Sequence, residues 1–274
     1  MAVNSIAMSP LCDADLILPG RVTGWPDLPP GVRALATTRR GGVSTGAYGD
    51  GEGGGGLNLG THVADDPALV ARNRALLAQR LPAPPAWLAQ VHGTAVVDAS
   101  AAGDAATGGA VPTGDASIAA RPGVACAIQT ADCLPVLLAD LDGRAVGAAH
   151  AGWRGLAAGV LQQTVAAMRV AGAGEITAWL GPAIGPDKFE VGEDVRAAFD
   201  AALPGEAPAA FRPCPGRPGK YLADMEALAR GMLAQAGVVR VHGGGRCTAT
   251  ESAWFYSYRR DGVTGRQASL IWID

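Results

Sequence analysis

The chain has 274 residues, enough for one large or two ordinary domains around a sizeable core. Its 49% apolar and 17% charged residues, with a formal net charge of -3, are those of a globular protein and exclude a basic surface that tracks nucleic acid. No run of about 18 apolar residues predicts a membrane span. Five cysteines without CxxC spacing exclude a disulfide framework and point to the reducing cytoplasm.

The opening, "MAVNSIAMSPLCDADLILPG", lacks a basic n-region and is interrupted by Asp13 and Asp15. It reads as a loose tail over 1–20 rather than a secretion signal, leaving 21–274 as one domain. "VRALATT" (32–38) predicts a strand running into a long glycine-rich loop, "RRGGVSTGAYGDGEGGGGLNLG". "DDPALVARNRALLAQRL" predicts a helix with Asp66 as its cap and Pro67 in its first turn.

"AWLAQVHG" and "TAVVDA" read as short strands. "GVACAIQTADCLPVLLADLDGRAVGAAHAG" holds three apolar runs, the last two joined by an Asp-Gly hairpin signal. "WRGLAAGVLQQTVAAMRVAG" reads as one helix with a glycine stop, and "EITAWLG" as a strand. Two further helical patterns, "GEDVRAAFDAAL" and "YLADMEALARGMLAQAG", precede "VVRVHGGG" and a closing strand, "RQASLIWID". Strands and helices without a regular βαβ rhythm give an α/β (α+β) fold with no internal repeat and no interdomain linker.

Only four histidines occur: His62, His92, His150 and His242. His92 in "QVHG", Cys133 in "TADCLPVLL" and His150 in "HAGWRG" each sit at a strand end beside a turn, where clefts form. Two imidazoles and a thiolate suit zinc or copper and leave a fourth position open. Their spacings match no compact finger, so a buried structural cysteine with two hydrogen-bonded histidines competes at this level.

"GEGGGG" (51–56) follows a polar turn rather than a strand, which excludes a dinucleotide fingerprint. "TRRGGVS" (38–44) places Arg39 and Arg40 where they could meet an anion or simply be solvated. "AHAGWRG" opens a helix, either as an anion site or as a tight turn packed by an indole. "GGGRCTATESAWFYSYRRDGVTGRQASLIWI" mixes arginines with aromatics that stack a base or pack an edge.

The wording of these segments carries more than their spacing. "TTRRGGVS", "LNLGTHVADDPALVARNR", "WLAQVHGT", "GDASIAARPGVACAIQTADCLPVLL", "AVGAAHAGWRGLAAGVL", "AWLGPAIGPDKFEVGEDV", "KYLADMEALAR" and "RCTATESAWFYSYRRDGVTGRQASLIW" closely resemble the YfiH family. These are bacterial laccase-domain proteins, formerly called multicopper polyphenol oxidases and now described as purine nucleoside phosphorylases. The resemblance runs in order from about residue 30 to the C-terminus.

It implies a single-domain α-β-β-α sandwich of mixed sheets, distantly like the catalytic domain of cytotoxic necrotizing factor. It implies a metal triad of His92, Cys133 and His150, which are also the catalytic residues, holding Zn2+ with Cu2+ as a substitute. It implies phosphorolysis of adenosine, inosine and methylthioadenosine, and deamination of adenosine, with purine nucleosides and phosphate as the partners. Arg40 is then the first candidate for phosphate, Arg246 the second, and Asn58 and Gln90 candidates for polar groups of the nucleoside. Arg39, pointing away from Arg40 on an extended segment, is expected to be solvated.

"GAYGDGEGGGGLNLG" is longer than the matching stretch of the family, and a flexible rim loop over 49–56 is expected. Two rival enzymes follow from the same residues. One is a metal-free cysteine hydrolase with Cys133 as nucleophile and His150 as base, editing peptidoglycan precursors. The other is phenol oxidation by copper in the triad, a side activity, since four histidines cannot supply a laccase's several copper centres.

Overall fold

The computed structural model describes residues 25–100 and 110–274 and the backbone of 16–17. In chain order the first elements are β1 (Leu16–Ile17), β2 (Val32–Thr37), β3 (Arg40–Ser44), α1 (Pro67–Ala78), β4 (Val96–Asp98) and β5 (Ala116–Ala119). Then come β6 (Cys126–Thr130), β7 (Leu134–Asp140), β8 (Val146–Ala151), α2 (Trp153–Ala157), α3 (Val160–Val170) and β9 (Ile176–Leu180). The last are β10 (Glu190–Gly192), α4 (Glu193–Ala202), β11 (Phe211–Pro213), β12 (Lys220–Ala223), α5 (Met225–Gln235), β13 (Arg240–Gly243), α6 (Tyr258–Asp261) and β14 (Gln267–Ile273).

Two large sheets are stacked. One has the order β13-β9-β7-β8-β5-β4, the other β1-β2-β14-β6, and a small third sheet has the order β10-β12-β11. Alternation along each strand sorts the side chains. On β7, Leu134, Val136 and Leu138 pack with Val160, Leu161 and Val165 of α3 and with Leu228 and Met232 of α5. Leu137 and Ala139, on the opposite face, meet Ile128 of β6, Ala34 of β2 and Ile271 of β14 between the sheets. Leu270 and Trp272 face outwards against Leu76 and Leu77 of α1. The layers are therefore helices, sheet, sheet and helix, the α-β-β-α sandwich that the resemblance implies.

Helix α1 starts as its sequence predicts, with the Asp66 carboxylate accepting the Ala68 N–H at 2.8 Å. The hairpin signal also holds. β7 and β8 pair antiparallel, and Gly143 takes the left-handed conformation that their turn requires.

Four expectations change. "AWLAQVHG" is not a strand, because its backbone makes only isolated bridges at Ala86 and Ala89. The single helix expected from Trp153 breaks into α2 and α3, since Gly159 adopts φ +96, which no right-handed helix continues through. "YLA" belongs to strand β12, ahead of α5. The glycine-rich stretch begins as strand β3, and in its rim Asp50 accepts the Glu52 and Gly54 N–H groups, both at 2.8 Å.

Arg39 is the correction with most consequence for this loop. It is buried, not solvated, and its guanidinium donates to Gly49 O at 2.8 and 3.1 Å and to Ser252 O at 3.0 Å. The expected loose tail at 1–20 falls mostly outside the described residues. Within it, β1 pairs antiparallel with β2.

Candidate metal centre

The β7–β8 hairpin carries two of the three residues that could hold a metal ion. Cys133 immediately precedes β7, and His150 lies near the end of β8, opposite Pro135. The third, His92, comes from the segment that follows the Ala89 bridge. The ligand atoms of all three lie within 4.8 Å of one another, with Cys133 Sγ 3.8 Å from His92 Nε2. The two imidazole rings meet edge-on, with centroids 4.8 Å apart. His150 is buried and His92 exposed, so the centre opens to solvent on the His92 side.

Asp115 organises the cluster. Its fully buried carboxylate lies 2.8 Å from His150 Nδ1, which leaves Nε2 free as the ligating atom. The same carboxylate accepts the N–H groups of Val91, His92 and Gly93 at 3.1, 2.9 and 2.7 Å. Three successive donors converging on one anion require an unusual turn, and His92 accordingly has φ +62. One carboxylate thus fixes a ring and the loop that carries another ring.

Cys133 is aimed by comparable means. Asp132 before it has φ +95, and its carboxylate accepts Thr248 Oγ1 and the Arg259 N–H, both at 2.6 Å. Gly152 closes the pocket behind the ligands. A Cβ there would lie 2.8 Å from His92 Cδ2 and 3.1 Å from Cys133 Sγ, so only glycine leaves room for the cluster.

The charges are coupled. Burial would raise the Cys133 thiol, but hydrogen bonding and attraction from His150 and His92 outweigh it and bring it down to about 6. Burial would lower His150, but Asp115 and Cys133 hold it up at about 9. Without metal, His150 is thus protonated and Cys133 ionised at neutral pH. A metal displaces the His150 proton, so apparent affinity rises with pH between the two values. The expected slope is about tenfold per pH unit, steepening below 6 and flattening above 9. Calorimetry of zinc binding in buffers of different ionisation enthalpy measures the protons released. Release of none at pH 7 contradicts this linkage.

The other sequence-predicted residues lie in different settings. Arg40 pairs with Glu52 and stacks over Trp254 at 4.7 Å. Arg246 pairs with Glu251 at 2.7 Å. Asn58 is fully buried and donates to Asp65 at 2.8 Å, while its oxygen accepts the N–H groups of Gly60 and Arg266. Gln90 exchanges two 2.8 Å bonds with the backbone of Gln129. Both amides are spent on holding loops together.

Arg266, by contrast, carries a largely buried guanidinium that no carboxylate pairs with among the described residues. It donates to the carbonyls of Thr264 and Gly265 and lies within electrostatic reach of Cys133 and Asp132. Sequence reasoning missed Asp115, Asp132 and Arg266. A signal was available for the first, because a metal-binding histidine is normally oriented by a carboxylate or carbonyl behind it.

Comparisons with known proteins place the chain in a family. A family model described as multi-copper polyphenol oxidoreductase laccase matches residues 33–274. A protein of Pseudomonas aeruginosa named purine nucleoside phosphorylase is 53% identical over 249 residues, covering 91% of this chain and 96% of that one. The Escherichia coli protein named purine nucleoside phosphorylase YfiH is 49% identical over 254 residues, covering 92% and 98%. Among solved structures, a Neisseria meningitidis protein aligns with a TM-score of 0.83 at 50% identity, covering 95% of this chain and 99% of that one. YlmD from Geobacillus stearothermophilus aligns at 0.80 and 36% identity, covering 91% and 94%. Over nearly its whole length, therefore, the chain belongs to the multi-copper polyphenol oxidoreductase laccase family, alongside YfiH.

Proposed function

We propose that this chain is a zinc-dependent purine nucleoside phosphorylase acting on adenosine, inosine and methylthioadenosine, with deamination of adenosine as a second reaction. The observation that carries this reading is the convergence of His92, Cys133 and His150, with Asp115 behind His150. The relatives named purine nucleoside phosphorylase support the reaction class. Two nitrogens and a thiolate form a borderline-soft set that fits zinc and also accepts copper. Zinc held by His92, Cys133 and His150 would supply Lewis acidity.

In phosphorolysis a phosphate oxygen bonds to ribose C1′ as the C1′–N9 bond breaks. The bond pair leaves with the base, which takes up a proton. The chain must therefore hold a dianion beside the triad and keep the ligands rigid. Asp115 does the second, gripping one ring through Nδ1 and the loop of the other through three N–H groups.

The first task falls best to Arg266, which no carboxylate pairs with among the described residues and which lies within electrostatic reach of Cys133. Arg40, the residue the sequence favours, would have to give up Glu52 to do the same. Arg266→Ala is expected to raise the phosphate KM by roughly 10- to 100-fold, the range of one hydrogen bond to a charged group. Metal content should be retained, and Arg40→Ala should have a smaller effect. The reverse ranking places the anion at Arg40.

Chromatography of products from inosine and adenosine, with and without phosphate and with and without a chelator, tests the function. Hypoxanthine and ribose 1-phosphate should form from inosine only when phosphate is supplied, and chelation should abolish them. Free ribose released without phosphate refutes phosphorolysis. Adenosine converted to inosine without phosphate supports the second reaction.

The metal-free cysteine hydrolase remains the rival, because the lowered Cys133 thiol beside His150 is a competent nucleophile. Its substrate would be a cell-wall amide, and its activity would survive the chelator. Phenol oxidation belongs to a copper-loaded triad, and zinc reconstitution should remove it.

A further inference from the structure

Alongside helix α1, where it packs on the β1-β2-β14-β6 sheet, lies a cavity of about 450 Å³. Its helical wall is hollow because Ala71, Ala75 and Ala78 are small, and another wall comes from Pro84, Pro85 and Trp87. None of the residues around it belongs to the metal triad or to the groups that position the triad.

One cation stands in this apolar setting. Arg74 lines the cavity and stacks its guanidinium over Trp87, 4.4 Å from the ring centroid. Its Nε donates to Leu59 O at 3.0 Å, and its two terminal amino groups have no partner among the described residues. No carboxylate pairs with it there, and burial alone pulls the guanidinium down to about 10. Asp65, the acid of the same lining, is already engaged, accepting Ser44 Oγ at 2.7 Å and Asn58 Nδ2 at 2.8 Å. A cation that has lost water without gaining an anion is destabilising. A carboxylate brought by a ligand would offset this through two parallel N–H bonds.

We infer that this cavity is a binding site for a small organic monocarboxylate with an apolar, ring-containing body, its carboxylate held by Arg74.

Size and charge select the ligand. An apolar cavity of about 150 Å³ accepts one benzene ring, so this one accepts a body of roughly two to three rings. Its volume also falls within the usual range of small-molecule pockets. One guanidinium edge matches one carboxylate, whereas a second negative charge would be repelled by Asp65. A phosphate ester is therefore disfavoured, which separates this site from the phosphate proposed beside the triad. Such a site binds its ligand whether or not the chain performs phosphorolysis.

Calorimetric titration of the zinc-loaded protein with 2-naphthoate and with its neutral analogue 2-naphthamide tests this. The acid should bind once per chain with a Kd below about 1 mM, as expected of a two-ring ligand. It should bind at least about tenfold more tightly than the amide, and Arg74→Gln should remove that preference. Ala75→Phe fills the cavity from an exposed helix position, so the fold is spared even if Arg74→Gln fails to fold. It should weaken the acid by at least about tenfold through steric exclusion and leave zinc content at the wild-type value. The variant with His92, Cys133 and His150 replaced by alanine should bind the acid as the wild type does, because only a carboxylate held by the metal would be lost with the triad. Absence of binding to the wild type, equal binding of acid and amide, undiminished binding in Ala75→Phe, or loss of binding in the triad variant each overturns the site.

Discussion

Purified wild-type protein should carry about one zinc ion per chain, and the variant with His92, Cys133 and His150 all replaced by alanine should carry none. The three donor atoms lie within 4.8 Å of one another, so little reorganisation opposes binding. Cys133 and His150 sit at the end of a hairpin within the larger sheet, and their exchange for alanine leaves the Leu134–Val136–Leu138 packing intact. The variant should therefore fold while losing metal and every metal-dependent activity. Elemental analysis with circular dichroism measures both, and equal metal in the two proteins sinks the assignment. Asp115→Asn is expected to fall between them, because the amide keeps the size of the carboxylate but loses its charge. A loss of roughly 10- to 100-fold in zinc affinity is the usual cost of removing such an outer partner.

The second large effect is expected from a single carbon atom. Gly152→Ala brings a methyl group to 2.8 Å from the His92 ring and 3.1 Å from Cys133 Sγ. Its backbone, at φ -62, suits any residue, so the penalty is purely one of space. His92 is exposed and can swing away, but doing so takes Nε2 out of the cluster. We expect Gly152→Ala to cost about 1–3 kcal/mol of stability at most and to abolish stoichiometric zinc binding. Thermal melting and metal analysis together read both. Retention of a full zinc complement shows that the loop of His92 yields without loss of the ligand.

The fold was legible in the sequence where local chemistry decides it. Asp66 and Pro67 announce the start of α1, the Asp-Gly signal announces the β7–β8 turn, and uninterrupted apolar runs announce strands covered on both faces. What failed was long-range. The apolar run "AWLAQV" looks like a strand, yet it finds only isolated partners at Cys126 and Thr113. Arg39 reads as one of two surface cations. Its burial depends on carbonyls at Gly49 and Ser252, the latter 213 residues away.

The resemblance singled out His92, Cys133 and His150, which spacing alone left open, and the fold brings their donor atoms within 4.8 Å of one another. Asp115 was not singled out, since an aspartate after glycine looks like any turn residue until the sheet carries it beneath His150. Arg266 was hidden for the opposite reason. The sequence offers many arginines, and only the structure shows that Arg266 combines burial, no carboxylate pair and reach of Cys133.

The asymmetry of the triad also sets how an ion comes and goes. His150 belongs to the wholly buried strand β8, and Cys133 adjoins the wholly buried β7. His92 belongs to a segment tied by isolated bridges and by Asp115, next to Val91, which is 59% exposed. Local openings of low free energy are drawn from segments of this second kind. His92 is then the ligand that lets go first, while the hairpin keeps hold of two bonds. Exchange of the ion with a chelator or a competing metal is governed by a brief departure of one loop, at a rate independent of global unfolding.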